Sequence, residues 1–477
     1  MIMSLISMPN ILILMSDEHR FDVTGYAGNQ IIRTPSLDSI AKQGVEFTNA
    51  YTPSPVCVPA RQCIMAGQYP SHCGLSGWDD LEPGYLTFPR HFSRHAYYTA
   101  ACGKLHHEGP DQMQGWIHRI GDDTKVSPRY IDQKNTAYFD RYNRPFGDYK
   151  WDDRKEILRA GIGDAFHTKK DVYTVQGAEN FIEEYFLSPY YDRERGAHQP
   201  LMLKVSLLQP HYPYFCDEEL FKYYLNRVEP FENEPVFDHP FLGERGIKSG
   251  VDVTPRDLRR ATAAYYGMVE TVDRHFAQIL RALELAGQDL DQWIIVYMSD
   301  HGEMLGEHGV WEKQKFFESS VRVPFLISWP AKWPQGMKIS KNVNLTDLFA
   351  TLCDAVELPI PEGLDSRSLV PLIEAKNPDS QAWDNEVLSM FSKARQPLLP
   401  EELKGFMDKA IIHEGGMNLM IKRDDLKYQF YGTDLPEVLF DLERDPHETT
   451  NLIDNADYGT VIEKFRNRGR ELGYKIP

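Results

Sequence analysis

A cysteine, a proline two residues on and an arginine four residues on sit in the run Ser54-Pro55-Val56-Cys57-Val58-Pro59-Ala60-Arg61. Prolines fix the backbone ahead of an expected helix start. A helix N-terminus gathers unpaired N–H groups, which suit an anion and depress the pKa of a nearby thiol. Arg61, about one turn along, adds a permanent planar cation. A lone cysteine reads first as a buried structural thiol. The spacing singles out Cys57, because none of Cys63, Cys73, Cys102, Cys216 and Cys353 shares it.

Further chemistry-bearing residues fall where apolar runs end. Residues 11–15 give way to Asp17-Glu18, and residues 97–102 run into Gly103-Lys104-Leu105-His106. Residues 201–208 end in Gln209-Pro210-His211-Tyr212-Pro213, residues 293–298 in Ser299-Asp300-His301-Gly302, and Lys313 follows. Each cluster alone reads as a solvated turn. In open α/β sheets, however, ligand groups collect at the carboxyl ends of strands, and adjacent carboxylates there need a compensating cation. Lys104 and His106, two apart, point the same way on an extended backbone and would make a compact anion site. Flanking prolines hold His211 in a defined backbone, as an aimed histidine requires.

The elements that must position these groups are strands covered on both faces, since the apolar runs are continuous. Residues 323–330 add another such strand, and residues 45–51 begin with strand-like alternation. Helices are expected over about 34–41, 62–67, 172–186 and 259–286. Strands alternating with helices predict an α/β fold with a large, mostly parallel sheet flanked by helices. Residues from about 108 to 166 are less regular. Trp116, Tyr130, Tyr138, Phe139, Tyr142, Phe146, Tyr149 and Trp151 lie there among charges. They read as an insertion over the site, either a substrate-binding lid or a satellite hydrophobic cluster. A catalytic domain is expected over 1–372 and a small C-terminal α+β subdomain over 373–477, with a final helix from about residue 459.

The 477 residues carry 52 basic and 70 acidic side chains, a formal charge of -18, which argues against nucleic acid or an anionic membrane as partner. A local pocket can still oppose the global sign. The cysteines form no short-spacing zinc motif. Residues 1–8 lack a basic leader and no segment is apolar enough to span a bilayer, so a cytoplasmic protein is expected.

Taken in order, Asp17-Glu18, Cys57 with Pro59 and Arg61, Lys104 with His106, His211, Asp300-His301 and Lys313 resemble the type I sulfatases of the alkaline phosphatase-like superfamily. Leu439-Phe440-Asp441-Leu442, Asp445-Pro446 and Asn451-Leu452 are similar to that family's C-terminal signature. The resemblance implies the alkaline phosphatase-like fold and oxidation of Cys57 to formylglycine by a maturation enzyme. It also implies hydrolysis of a sulfate monoester to an alcohol and inorganic sulfate. Asp17, Glu18, Asp300 and His301 would hold a divalent metal, calcium first, with magnesium or manganese as alternatives. A hydroxyl of the hydrated aldehyde would attack sulfur, with Arg61, Lys104 and Lys313 stabilising the sulfuryl oxygens. His211 or Lys313 would protonate the leaving oxygen, and His106 would be the base that collapses the sulfated intermediate. Glu18 stands where many members have aspartate, and His301 where others have asparagine.

Two other readings stay open. One is a phosphonate or phosphate ester hydrolase of the same superfamily, whose phosphonate-cleaving members tend to lack the Lys104 and His106 pair. The other is a non-catalytic binding protein on this scaffold. The substrate is expected to be a small-molecule or carbohydrate sulfate ester; a sulfated sugar, choline sulfate and an aryl sulfate all fit.

Overall fold

The computed structural model describes residues 8–75, 77, 79–121, 153–187, 199–231, 239, 247–392, 417–433 and 435–477. Its strands follow the apolar runs: β1 (Ile11–Ser16), β2 (Val45–Phe47), β3 (Tyr98–Gly103), β4 (His118–Ile120), β5 (Leu201–Ser206), β6 (Ile294–Ser299), β7 (Phe325–Ser328) and β8 (Met337–Ile339). They form one sheet in the order β8-β2-β7-β6-β1-β5-β3-β4. Only β7 runs antiparallel to its neighbours.

Every residue of β1 is buried. Alternation along a strand sends successive side chains to opposite faces, so β1 feeds two cores. Ile11, Ile13 and Met15 pack with Ile64, Met65, Phe92 and Phe349 on one face. Leu12 and Leu14 pack with Val175, Val272 and Phe276 on the other. The result is a sheet sandwiched between helices. Helix α1 (Pro35–Gln43), α2 (Cys57–Ala66), α3 (Phe166–Leu187) and α4 (Pro255–Leu285) supply most of the cover.

Four boundaries differ from the sequence expectation. Helix α2 runs Cys57–Ala66 and so starts five residues before residue 62, because Pro59 falls in its first turn, where a missing N–H costs no helix bond. Helix α4 starts four residues earlier than residue 259, because Thr254 and Asp257 form a reciprocal capping box around Pro255. Helix α3 begins at Phe166 rather than near residue 172. The segment from residue 108 is in part scaffold: β4 adds an edge strand beside β3, and Trp116 is buried with its ring edge-on to Phe88, centroids 5.8 Å apart. Tyr130, Tyr138, Phe139, Tyr142, Phe146, Tyr149 and Trp151 lie outside the described residues.

A second, antiparallel sheet of four strands follows: Glu386–Phe391, Asn418–Arg423, Leu426–Phe430 and Val438–Asp441. Helix Gly459–Glu471 covers one face through Ile462 and Phe465. The other face meets the first unit through Val387, Phe391 and Met420 against Tyr51, Val56 and Phe316. Val56 immediately precedes Cys57, so the smaller sheet backs the loop that enters α2. No helix among the described residues is long and apolar enough to cross a membrane.

Candidate active site

The four central strands β6, β1, β5 and β3 all run parallel and end on the same side. Their carboxyl ends bring Asp17, Glu18, Lys104, His106, His211, Asp300 and His301 into one region, as the crevice rule for open sheets requires. Ser16 pairs with Ser299 across β1 and β6, so Asp17 and Asp300 leave adjacent strands side by side. Helix α2 approaches from one face of the sheet with Cys57 as its first residue, and the whole helix is buried.

One ligand atom from each of Asp17, Cys57, Asp300 and His301 lies within 4.8 Å of the others. His301 is fully buried; its Nδ1 sits 3.0 Å from the Gly302 carbonyl and its Nε2 3.0 Å from Cys57 Sγ. A proton on Nδ1 donated to that carbonyl leaves Nε2 with its lone pair turned inward, the state a metal-binding imidazole needs. A second group, Asp17, Glu18 and His211, shares Asp17 with the first. Glu18 Oε1 is buried without a hydrogen-bond partner among the described residues, so an acceptor faces inward with nothing to accept from. That orphaned oxygen, with the hard carboxylate donors and the oriented imidazole, fits a divalent cation held by Asp17, Asp300 and His301, with Glu18 beside them.

Arg61 has a different setting from the one its type suggests. Its guanidinium reaches Asp300 at 2.6 Å and Asp17 at 2.8 Å, and donates to the Lys104 carbonyl and Ser206 Oγ, each at 2.8 Å. It is fully buried and faces carboxylates, so here it braces the two acids. Lys104 Nζ lies 2.6 Å from Asp17. Burial pushes the Asp17 carboxyl up, but Lys104, Arg61, His211 and His301 outweigh it and hold it well below the usual range.

On the other side Lys313 Nζ lies 2.8 Å from Glu18 Oε2 and 2.6 Å from His211 Nε2, with the Tyr212 ring 4.4 Å away. Burial raises the Glu18 carboxyl well above its ordinary value despite Lys313. His211 donates from Nδ1 to the Tyr212 carbonyl at 2.6 Å, and burial with Lys313 holds its basicity well below normal. His106 sits at the rim, its side chain 18% exposed and Nε2 3.7 Å from Glu108. Its φ of 59° is left-handed, so the two-residue alternation expected of Lys104 and His106 does not apply. Burial followed by Lys104 depresses the His106 imidazole.

The helix start at Cys57 does not make a thiolate. Burial first, then Asp17, pushes the Cys57 thiol up to about 12.

Sequence reading missed several residues that build the site. Ser206 and Gln62 hold Arg61 and the His106 carbonyl. Asp171, buried on α3, accepts from the N–H groups of Leu208 at 2.7 Å and Gln209 at 2.9 Å. His167, at the start of α3, lies with its ring centroid 5.3 Å from that of His211. Nothing in their spacing marks them, because each meets its partner far along the chain.

The profile of the sulfatase family matches residues 9–358, and that of the N-sulphoglucosamine sulphohydrolase C-terminal region matches 306–474. Choline-sulfatase of Rhizobium meliloti is 30% identical over 459 residues, covering 94% of this chain and 83% of its own. Arylsulfatase of Clostridium perfringens is 29% identical over 492 residues, covering 98% and 96%. Among solved structures, phosphonate monoester hydrolase of Agrobacterium radiobacter superposes with a TM-score of 0.74 at 22% identity, covering 98% of this chain and 95% of that one. At that identity the likeness concerns the fold.

Proposed function

The chain belongs to the sulfatase family of sulfuric ester hydrolases, and we propose that it cleaves a small-molecule or carbohydrate sulfate monoester at Cys57, using a divalent cation and a formylglycine made from that cysteine. One observation carries this reading: Asp17, Cys57, Asp300 and His301 converge within 4.8 Å, with Lys104 on one side and Lys313 on the other.

When present, the cation neutralises charge on the sulfuryl oxygens, and formylglycine provides an oxygen nucleophile where the parent residue has a thiol. The remaining work falls to the chain's own side chains. Arg61 holds Asp17 and Asp300 in place, as its contacts require. Lys104 and Lys313 bring two preorganised cations to an anionic group placed between them. His211 commits its Nδ1 proton to the Tyr212 carbonyl, so its Nε2 accepts from Lys313 while the ring stays neutral. The proton for the leaving oxygen therefore belongs to Lys313, with His211 orienting it. His106, at the rim, is the base left for the second step.

The phosphonate ester reading draws on the fold likeness alone. The sulfate ester is favoured by the sulfatase profile over residues 9–358 and by the choline-sulfatase and arylsulfatase relatives. The test is sulfate release by metal-loaded protein, coexpressed with a maturation enzyme, from choline sulfate, an aryl sulfate and sulfated sugars, beside a phosphonate ester. Peptide mapping should find the aldehyde or its hydrate at position 57. A wide preference for the phosphonate ester, or full activity with unmodified Cys57, would sink the proposal.

A further inference from the structure

Helix α3 carries a further imidazole to the mouth of the site. His167, its second residue, has no hydrogen-bond partner for either ring nitrogen among the described residues, and Nδ1 is shut off from solvent. Buried polar atoms in native proteins are nearly always paired, so an unpaired one calls for a ligand or water.

Two independent contacts fix where this helix begins. Asp171, one turn beyond His167, binds the backbone of Leu208 and Gln209, the two residues that lead into Pro210-His211. Thr174, farther along, packs where Gly103 lacks a side chain; a Cβ there would lie 2.6 Å from Thr174 Cγ2. The same helix is thus clamped to the loop that carries His211 and to the strand end that carries Lys104. Its second residue faces the space between them. The charged groups around the His167 ring are Lys104, Asp17, Lys313 and Arg159. Burial first, then Lys104, holds the imidazole down at about 3, so it faces them uncharged. Lysines already supply charge here; a neutral imidazole adds direction.

We propose that His167 is a further substrate-contact residue, whose ring N–H donates a hydrogen bond to a sulfuryl oxygen of the ester between Lys104 and His211. This rests on the sulfatase reading.

The test titrates inorganic sulfate into metal-loaded, matured protein by calorimetry, comparing wild type with His167→Phe and His167→Asn. Phenylalanine keeps a ring against His211 without a nitrogen; asparagine keeps a short N–H donor. The sulfate Kd should rise about tenfold or more in His167→Phe, the usual weight of a hydrogen bond to a charged group. His167→Asn should recover most of that loss, with metal content and Tm unchanged in both. Equal affinity in His167→Phe and wild type, or no sulfate binding by wild type, overturns the assignment. So does a loss shared by both variants together with a lowered Tm, which marks a structural role. A wild type that binds sulfate through His167 but releases none from any ester overturns the sulfatase reading and leaves the contact standing.

Discussion

At the scale of single residues, Arg61 decides whether two acids can share the floor of the site. Asp17 and Asp300 leave neighbouring strands fully buried, and one guanidinium touches both. Removing one partner of a buried ion pair leaves an uncompensated charge, which costs about 3–5 kcal/mol. Arg61→Ala should therefore lower the stability of metal-free protein by about that amount in chemical denaturation. Arg61→Lys should recover only part of it, because an ammonium cannot span two carboxylates as a planar fork does. Unchanged denaturation of Arg61→Ala would show that the acids do not depend on it. The sequence made the type and place of this arginine legible through Cys57 and Pro59, but not its partners. Asp300 lies 239 positions away, and no local spacing says which of several anions an arginine will meet. The same limit explains the Cys57 thiol: a helix start is readable locally, whereas the burial that raises the thiol, and Asp17 after it, come from elements far along the chain.

At the scale of elements, the apolar runs were legible because strands buried on both faces admit little else, and all the core strands appear where those runs lie. Their ends were legible too, since chemistry collects at carboxyl ends. The start of α3 was not. Its first turns carry His167 and Asp171 where an apolar period would be sought, and their partners lie about forty residues on, in the loop before His211. Close approach also escapes a sequence reading. Gly103 closes β3 with φ of 83°, and a Cβ there would sit 2.1 Å from the Ser206 carbonyl oxygen. The neighbour is backbone and cannot swing aside. Gly103→Ala should thus force β3 away from β5 and displace Lys104, the next residue. A strained left-handed position costs about 1–3 kcal/mol before the clash is counted. A shift near 1 Å in a catalytic group lowers rate by about 100-fold. Melting and kcat/KM measured together check this; wild-type activity in Gly103→Ala would show that the close approach does not set the position of Lys104.

At the scale of the whole molecule, the formal charge of -18 hides a site that carries Lys104 and Lys313, paired to Asp17 and Glu18, so a global balance could exclude a nucleic acid without describing the pocket. The seam between the two sheets shows the same gap between composition and placement. Lys427 of the smaller sheet is fully buried between Glu318 of the larger unit, at 3.0 Å, and Glu448, which also accepts the Glu318 N–H at 2.6 Å. One lysine thus faces two carboxylates, with Tyr51 donating to Glu318. Lys427, Lys422 and Arg322 overcome burial and draw Glu318 down to about 2. Burial, against Lys427, pushes Glu448 up to about 8 from 4.5. Between pH 4.5 and 8 the folded protein then keeps a proton on Glu448 that the unfolded chain has lost, so stability falls as pH rises through that window and levels off above it. Glu318 has the opposite sign: its contribution is complete above pH 4.5 and is lost only toward pH 2, outside the window. Glu448→Gln imitates the protonated acid without a proton to lose. Its denaturation midpoint should match wild type near pH 5 and exceed it at pH 8.5, by on the order of 4 kcal/mol in stability. Chemical denaturation of both proteins from pH 5 to 8.5 measures the divergence; parallel profiles would mean that Glu448 is ionised at the seam throughout, with Lys427 shared equally between the two acids.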